Sequence, residues 1–244
     1  MKYAARTDKG KHRELNEDCF NIIPGSGGIP ATFIVADGMG GHNSGEVASK
    51  AAVDFISGAV SGSPERFGPE SDIGEEIKRL MEQTNGSVYE KSLEMAENNG
   101  MGTTMTIAVA VDGVMYIGHI GDSRLYLINN GSIKQLTTDH SYIEEMIRNG
   151  SMTREEAKSH PRKHVITRAL GCTAEVEADI YSRRMEAGDT YLICSDGLTN
   201  MVSEDEILEL AGGNAPDAAC EALVKRANDN GGEDNITVII INNE

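Results

Sequence analysis

Four aspartates have the residue type and the setting to hold hard metal ions. Asp37 follows the apolar run Phe33-Ile34-Val35-Ala36, Asp122 follows MYIGHIG, Asp196 follows TYLICS, and Asp234 precedes NITVIII. One such aspartate means little, because Asp-Gly is a common turn dipeptide and aspartate a common helix cap. Four in similar settings imply a site. Mg2+ and Mn2+ take carboxylate oxygens and keep several waters, which suits these residues better than zinc does. Gly38 and Gly197, directly after Asp37 and Asp196, allow close backbone approach, so a carbonyl could also ligate. Two ions bridged by one carboxylate would turn a shared water toward hydroxide near neutral pH. A cation facing them would orient an anionic substrate, and Arg13, upstream of Asn16-Glu17-Asp18, is a candidate.

The elements that must position these residues follow from hydrophobic periodicity. Short strands are expected at 2–7, 18–24 and 31–36, the last ending at Asp37-Gly38 and a glycine-rich turn over 39–43. A first helix is expected over 44–60, then a Gly/Ser/Pro-rich loop to 71, and a second helix from an Asp72/Glu75 capping box to about residue 97. Gly86 is a point where that second helix could kink. Successive antiparallel strands read from 102–111, 114–120, 124–129 and 132–136. Residues 139–160 turn polar and helix-prone, with Thr153/Glu156 as another capping box. Strand patterns return at 176–184 and 189–195, two helices fall near 203–211 and 216–229, and a last strand covers 235–242. Strands at both ends with helix pairs between them suggest two packed sheets covered by helices.

The totals bound the function. A chain of 244 residues suits one sheet-based domain. Its net charge of −17, from 22 Lys and Arg against 39 Asp and Glu, with no basic run, argues against nucleic acid. No run approaches membrane-spanning length and the N-terminus lacks an apolar signal core, so no membrane partner is expected. Cys19, Cys172, Cys194 and Cys220 are scattered without zinc-like pairing, and a reduced, cytoplasmic setting is the simplest inference.

Seven pieces in order carry a resemblance: R-x-x-NED at 13–18, VADGMGGH at 35–42, GTT at 102–104, GDSR at 121–124, TRALG at 167–171, SDGL at 195–198 and DNITV at 234–238. Together they resemble the metal-dependent (type 2C) serine/threonine protein phosphatases, in particular the bacterial branch. The resemblance implies an α+β fold, a central sandwich of two mainly antiparallel sheets flanked by helix pairs, over 1–244 as a single catalytic domain. It implies Mn2+ or Mg2+, two ions and a third weaker one. By position Asp37 bridges two ions and the Gly38 carbonyl ligates one. Asp196 and Asp234 complete the other, and Asp122 shares the third with Asp196. Arg13 matches the phosphate-binding arginine, and Glu17 and Asp18 match acids that hold coordinated waters. The implied reaction is one in-line attack of a water between the ions on phosphoserine or phosphothreonine, with no phosphoenzyme. Phosphoproteins, among them a Ser/Thr kinase, are the implied partners of a monomer. Residues 141–163 match the flap beside the active site. Met39 stands where the animal branch has a histidine, so the general acid is unassigned; His42 is near.

Rival readings are weaker. A dinucleotide fingerprint fails because Asn43 replaces its third glycine. Cys220 and Arg226 have the C-x5-R spacing of cysteine-dependent phosphatases, but the intervening EALVK favours a helix, which cannot wrap amides around a phosphate. A pseudophosphatase or binding module is opposed by the four intact aspartates. A phosphatase of a sigma-factor regulator usually brings a sensory domain for which this chain has no room. His140 reads as a structural hydrogen-bonding residue.

Overall fold

The computed structural model describes residues 1–40, 44–94, 98, 100–158 and 160–244, the side chain of Lys158 excepted. Along the chain run β1 (Lys2–Asp8), β2 (Asp18–Ile23), β3 (Ala31–Met39), α1 (Gly45–Gly62) and, past a short 3-10 turn, α2 (Ile73–Glu94). Then come β4 (Gly102–Thr103), β5 (Met105–Val111), β6 (Val114–Ile120), β7 (Arg124–Asn129), β8 (Ser132–Gln135), α3 (Tyr142–Arg148) and α4 (Arg154–Lys158). The chain finishes with β9 (Asp179–Arg184), β10 (Thr190–Cys194), α5 (Asp196–Thr199), α6 (Glu204–Ala211), α7 (Pro216–Asp229) and β11 (Ile236–Asn242).

Two antiparallel sheets form, in the orders β1-β11-β10-β7-β8 and β2-β3-β5-β6-β9, with β4 attached to β3. Alternation along each central strand feeds two cores. In β3, Phe33 and Val35 face the other sheet, meeting Leu125, Tyr191, Ile193 and Ile239, while Ile34 and Ala36 face α1 and α2 with Ile56, Leu80 and Met81. In β11, Val238 and Ile240 pack under α6 and α7 with Ile207 and Leu223, while Ile239 and Ile241 enter the layer between the sheets. Strands buried on both faces read as unbroken apolar runs, which is why they were visible in the sequence. The architecture is the expected α-β-β-α sandwich.

Boundaries differ from the sequence reading where tertiary pairing decides them. β3 runs on through Asp37 and Gly38 to Met39, because Asp37 pairs with Asp18 of β2 and Gly38 with Thr103 of β4. The 102–111 strand divides at Thr104, whose amide turns to the Asp37 carbonyl at 2.9 Å. The short helix α5, which starts on Asp196 itself, was not expected. α2 passes through Gly86 without a break and is capped by Asp72 Oδ1, which accepts the Glu75 amide at 3.1 Å. Residues 95–97, the expected end of that helix, lie outside the described residues, as does His42. Among the described residues no helix is long and apolar enough to cross a membrane.

Candidate metal centre

All eight residues singled out in the sequence stand at one end of the sandwich, and seven of them line one cleft of about 540 Å3: Arg13, Glu17, Asp37, Gly38, Asp122, Asp196 and Asp234. Asp18 stands behind the cleft, opposite Asp37 across the β2–β3 ladder. Both sheets contribute. Asp18 and Asp37 come from β2 and β3, Asp122 from the turn where the chain leaves β6 for the other sheet, and Asp196 and Asp234 flank β10 and β11.

The backbone under Asp37 is fully tied. Its amide donates to Thr104 Oγ1 at 2.9 Å, and its carbonyl accepts from Thr103 Oγ1 and the Thr104 amide, each at 2.9 Å. Gly38 and Gly197 are required by close approach: a Cβ would lie 2.1 Å from the Gly45 carbonyl oxygen in the first case and 2.0 Å from that of Asn235 in the second. No side chain larger than hydrogen fits either position.

Burial dominates the electrostatics, and crowding of like charges adds to it. By surface area Asp18, Asp37 and Asp196 are half-buried, yet enough protein surrounds them that desolvation is the main influence on each. Burial, then the charges of Asp18 and Asp196, push the Asp37 carboxyl well above the usual range. Burial pushes Asp18 up to about 7, against the lowering effect of the Thr237 and Ser195 hydroxyls. Burial and Asp196 push Asp122 up to about 8. Asp196 is raised by burial and Asp234, and it shares a hydrogen bond with the Asp37 carboxyl. Glu17 is raised by burial and by Glu46.

Donors orient several of these groups. Ser195 Oγ donates to Asp18 Oδ2 at 2.7 Å, Asn200 Nδ2 to Asp196 Oδ2 at 3.0 Å, and Arg13 to Asp234 Oδ2 at 2.7 Å. Asp18 Oδ1 and Asp122 Oδ1 are buried with no hydrogen-bond partner among the described residues. Buried oxygens without donors and carboxylates forced together fit a cation better than they fit each other. Among the described residues no three His, Cys, Asp or Glu side chains form a ready-made ligand set around one point. The carboxylates instead border an open cleft, which suits hydrated hard cations that keep waters.

Sequence reasoning missed several residues here. Asn235 accepts the Glu17 amide at 2.8 Å and donates to the Lys9 and Leu15 carbonyls at 3.0 and 2.9 Å, fastening the loop that carries Arg13. Its place inside DNITV was the only signal. Asn200 follows Asp196 by one helical turn, and Lys163, opposite in charge to the aspartates, borders the cleft beside His164. The cysteine alternative is closed by geometry. Cys220 is buried in α7 against the Ala4 carbonyl, its thiol pushed up to about 11 by burial, and Arg226 pairs with Glu206.

Oxygen donors crowded across the mouth of a two-sheet sandwich suit a centre of the hard-cation type. Comparison with known proteins makes the class specific. Residues 9–235 match the family model for protein phosphatase 2C. The chain is 39% identical to the serine/threonine phosphatase stp of Listeria monocytogenes, covering 97% of this chain and 93% of that protein. It is 37% identical to the protein phosphatase PhpP of Streptococcus pneumoniae, over 99% and 97%. Among solved structures, the S. agalactiae serine/threonine phosphatase superposes with a TM-score of 0.93 at 34% identity, covering 100% of this chain and 99% of that one. The catalytic domain of the phosphatase PstP in complex with two manganese ions superposes with a TM-score of 0.84 at 34% identity, over 98% and 96%. The chain therefore belongs to the protein phosphatase 2C family and is a metal-dependent serine/threonine protein phosphatase.

Proposed function

We propose that this chain removes phosphate from phosphoserine and phosphothreonine in proteins by one direct displacement in the aspartate cleft, with two Mn2+ or Mg2+ ions and a third, weaker one. Asp37, the Gly38 carbonyl, Asp196 and Asp234 would hold the two ions, and Asp122 with Asp196 would hold the third. When bound, the ions supply the positive charge that acidifies the attacking water and neutralises the phosphate. Glu17 and Asp18 accept hydrogen bonds from the waters around that centre. Arg13 sits at the rim, where its planar guanidinium can hold two phosphate oxygens and fix the angle of attack. Met39 offers no proton to the leaving alkoxide.

The convergence of five raised carboxyl groups, Glu17, Asp18, Asp37, Asp122 and Asp196, at one cleft is the observation that carries this reading. Residues 1–244 act as one catalytic domain, with 141–163 as a flap that meets protein rather than phosphate. A Ser/Thr kinase among the substrates, a monomeric state and a cytoplasmic setting complete the proposal, the last supported by four free thiols. The test is hydrolysis of phosphothreonine peptides with and without Mn2+. Wild-type protein turns over only with metal, while Asp37→Asn and Asp196→Asn stay folded and lose turnover. Near-normal rates in either variant at saturating Mn2+ would reject the ion assignment.

A further inference from the structure

One arm of the flap is rooted on the turn that carries Asp122 and the other on Thr103 beside the strand that carries Asp37, and one histidine joins them. The His140 amide donates to the Gly121 carbonyl at 2.7 Å, and the Gly121 amide donates to His140 Nδ1 at 3.1 Å. A single residue thus grips both backbone polar groups of the residue before Asp122. Directly before it, Asp139 is held by a two-pronged contact from the Arg124 guanidinium, with Nε at 2.9 Å and Nη2 at 2.6 Å.

From His140 the chain leaves for the flap. Its carbonyl accepts the Thr167 amide of the returning arm at 2.8 Å, and the Tyr142 amide donates to the Val165 carbonyl at 2.8 Å. The returning arm then pairs Leu170 with Thr103, whose hydroxyl holds the Asp37 carbonyl. On the far side of the ring, His140 Nε2 lies 3.3 Å from Asp179 Oδ2, close but outside good hydrogen-bond alignment. Asp179 also pairs with Arg168 of the returning arm at 3.0 Å and accepts from Tyr181 at 3.0 Å.

The tautomer follows from these partners. Nδ1 accepts from Gly121, so a neutral ring carries its proton on Nε2, facing Asp179. The imidazole is buried, with only 2% of the side chain exposed, and it lies against the His119 ring with ring centres 4.9 Å apart and planes tilted by 42°.

We propose that His140 is a positioning residue that fixes the Asp122 turn and the flap root as one unit, so that flap placement and the geometry of the aspartate cleft are coupled. Its Nδ1 side serves Asp122 and its Nε2 side serves the flap arms through Asp179. This rests on the assignment of Asp122 as an ion ligand only for the Mn2+ readout below.

Two variants separate the sides. His140→Asn keeps an acceptor near the Nδ1 position and loses the contact with Asp179. His140→Gln reaches toward Asp179 and leaves the Gly121 amide without its acceptor. In metal-free protein, amide exchange read at Gly121, Tyr142 and Thr167 should accelerate together in both variants, by about tenfold for one lost buried hydrogen bond. By calorimetry His140→Gln should weaken Mn2+ binding about fivefold or more. His140→Asn and Asp179→Asn should lower kcat/KM on phosphothreonine peptides about tenfold more than on a small aryl phosphate, and the double variant should be no worse than either single one. Asp122→Asn is measured alongside. If Mn2+ binding is unchanged in it, Asp122 is not a ligand, and joint acceleration of the three amides in the His140 variants still supports the coupling. Acceleration at Gly121 without Thr167, or variants that lose only thermal stability at wild-type exchange and substrate ratio, would overturn it.

Discussion

Metal binding to this cleft should expel protons, and the number is fixed by the crowding of its aspartates. Without metal, burial pushes Asp18 up to about 7 and Asp122 up to about 8, and Asp37 and Asp196 are raised as well. At pH 7 the first two alone hold on the order of one proton per chain, with more at pH 6 and few above pH 9. A divalent ion requires its carboxylates ionised, so Mn2+ must displace those protons. Calorimetric Mn2+ titrations in buffers of different ionisation enthalpy read the number directly. At least about one proton released at pH 7, and more at pH 6, is expected.

The same shifts set the stability of the metal-free protein. Folded-state values raised above the unfolded value near 3.9 stabilise fully below that pH, and the contribution is lost as pH rises through 7 and 8. Integrating those two groups from pH 6 to 9 gives a loss of up to about 4 kcal/mol, or roughly 10 °C in Tm for a chain this size. Saturating Mn2+ should remove most of that slope. Zero proton release at both pH 6 and 7, or a metal-free Tm that is flat or rising over this range, would refute the assignment of crowded, protonated carboxyls.

Arg13→Ala should raise KM for phosphopeptides far more than it weakens Mn2+ binding, because a charge-assisted contact of this kind contributes about 1.5–3 kcal/mol. Unchanged KM and kcat would leave Arg13 as an ion-pair partner of Asp234 and Glu17 only. Cys220→Ser should keep wild-type turnover, since the thiol is buried in α7 and titrates near about 11; a folded but inactive variant would reopen cysteine chemistry. Gly118→Ala places a Cβ 2.5 Å from Met81 Sδ and 2.6 Å from Ile77 Cγ2. The overpacking should cost about 1–3 kcal/mol in denaturant unfolding without moving Mn2+ half-saturation.

What the sequence made legible follows the range of the forces involved. β3, β5, β10 and β11 were readable because burial on both faces writes itself as a run of apolar residues. The Thr153/Glu156 capping box was readable because both bonds close within three residues. The end of β3 was not, since Asp37 and Gly38 stay in the strand only through pairing with β2 and β4. Nor was α5, a single turn too short to show helical periodicity. In the site, each aspartate announced itself beside a strand. Asn235 did not, because its bond to Glu17 spans 218 residues and nothing local foretells it. The clasp of His140 on Gly121 spans 19 residues, also too many for a local pattern to show.

The distribution of the aspartates over both sheets has an energetic consequence. Gathering Asp18, Asp37, Asp122, Asp196 and Asp234 at one end opposes folding, and burial together with like charge raises the first four carboxyls. The opposing pull comes from the layer between the sheets, where Phe33 and Val35 of one sheet meet Ile193 and Ile239 of the other. Each of those residues lies a few positions along the same strand from an aspartate or its turn. The apolar layer therefore does two jobs: it supplies much of the favourable free energy of the sandwich, and it sets the spacing between carboxyls from different sheets. Carboxyls held apart by a rigid interior cannot relax the repulsion by moving, so a proton or a cation must relieve it. Mn2+ affinity is in this sense a property of the packed interior as much as of the ligands.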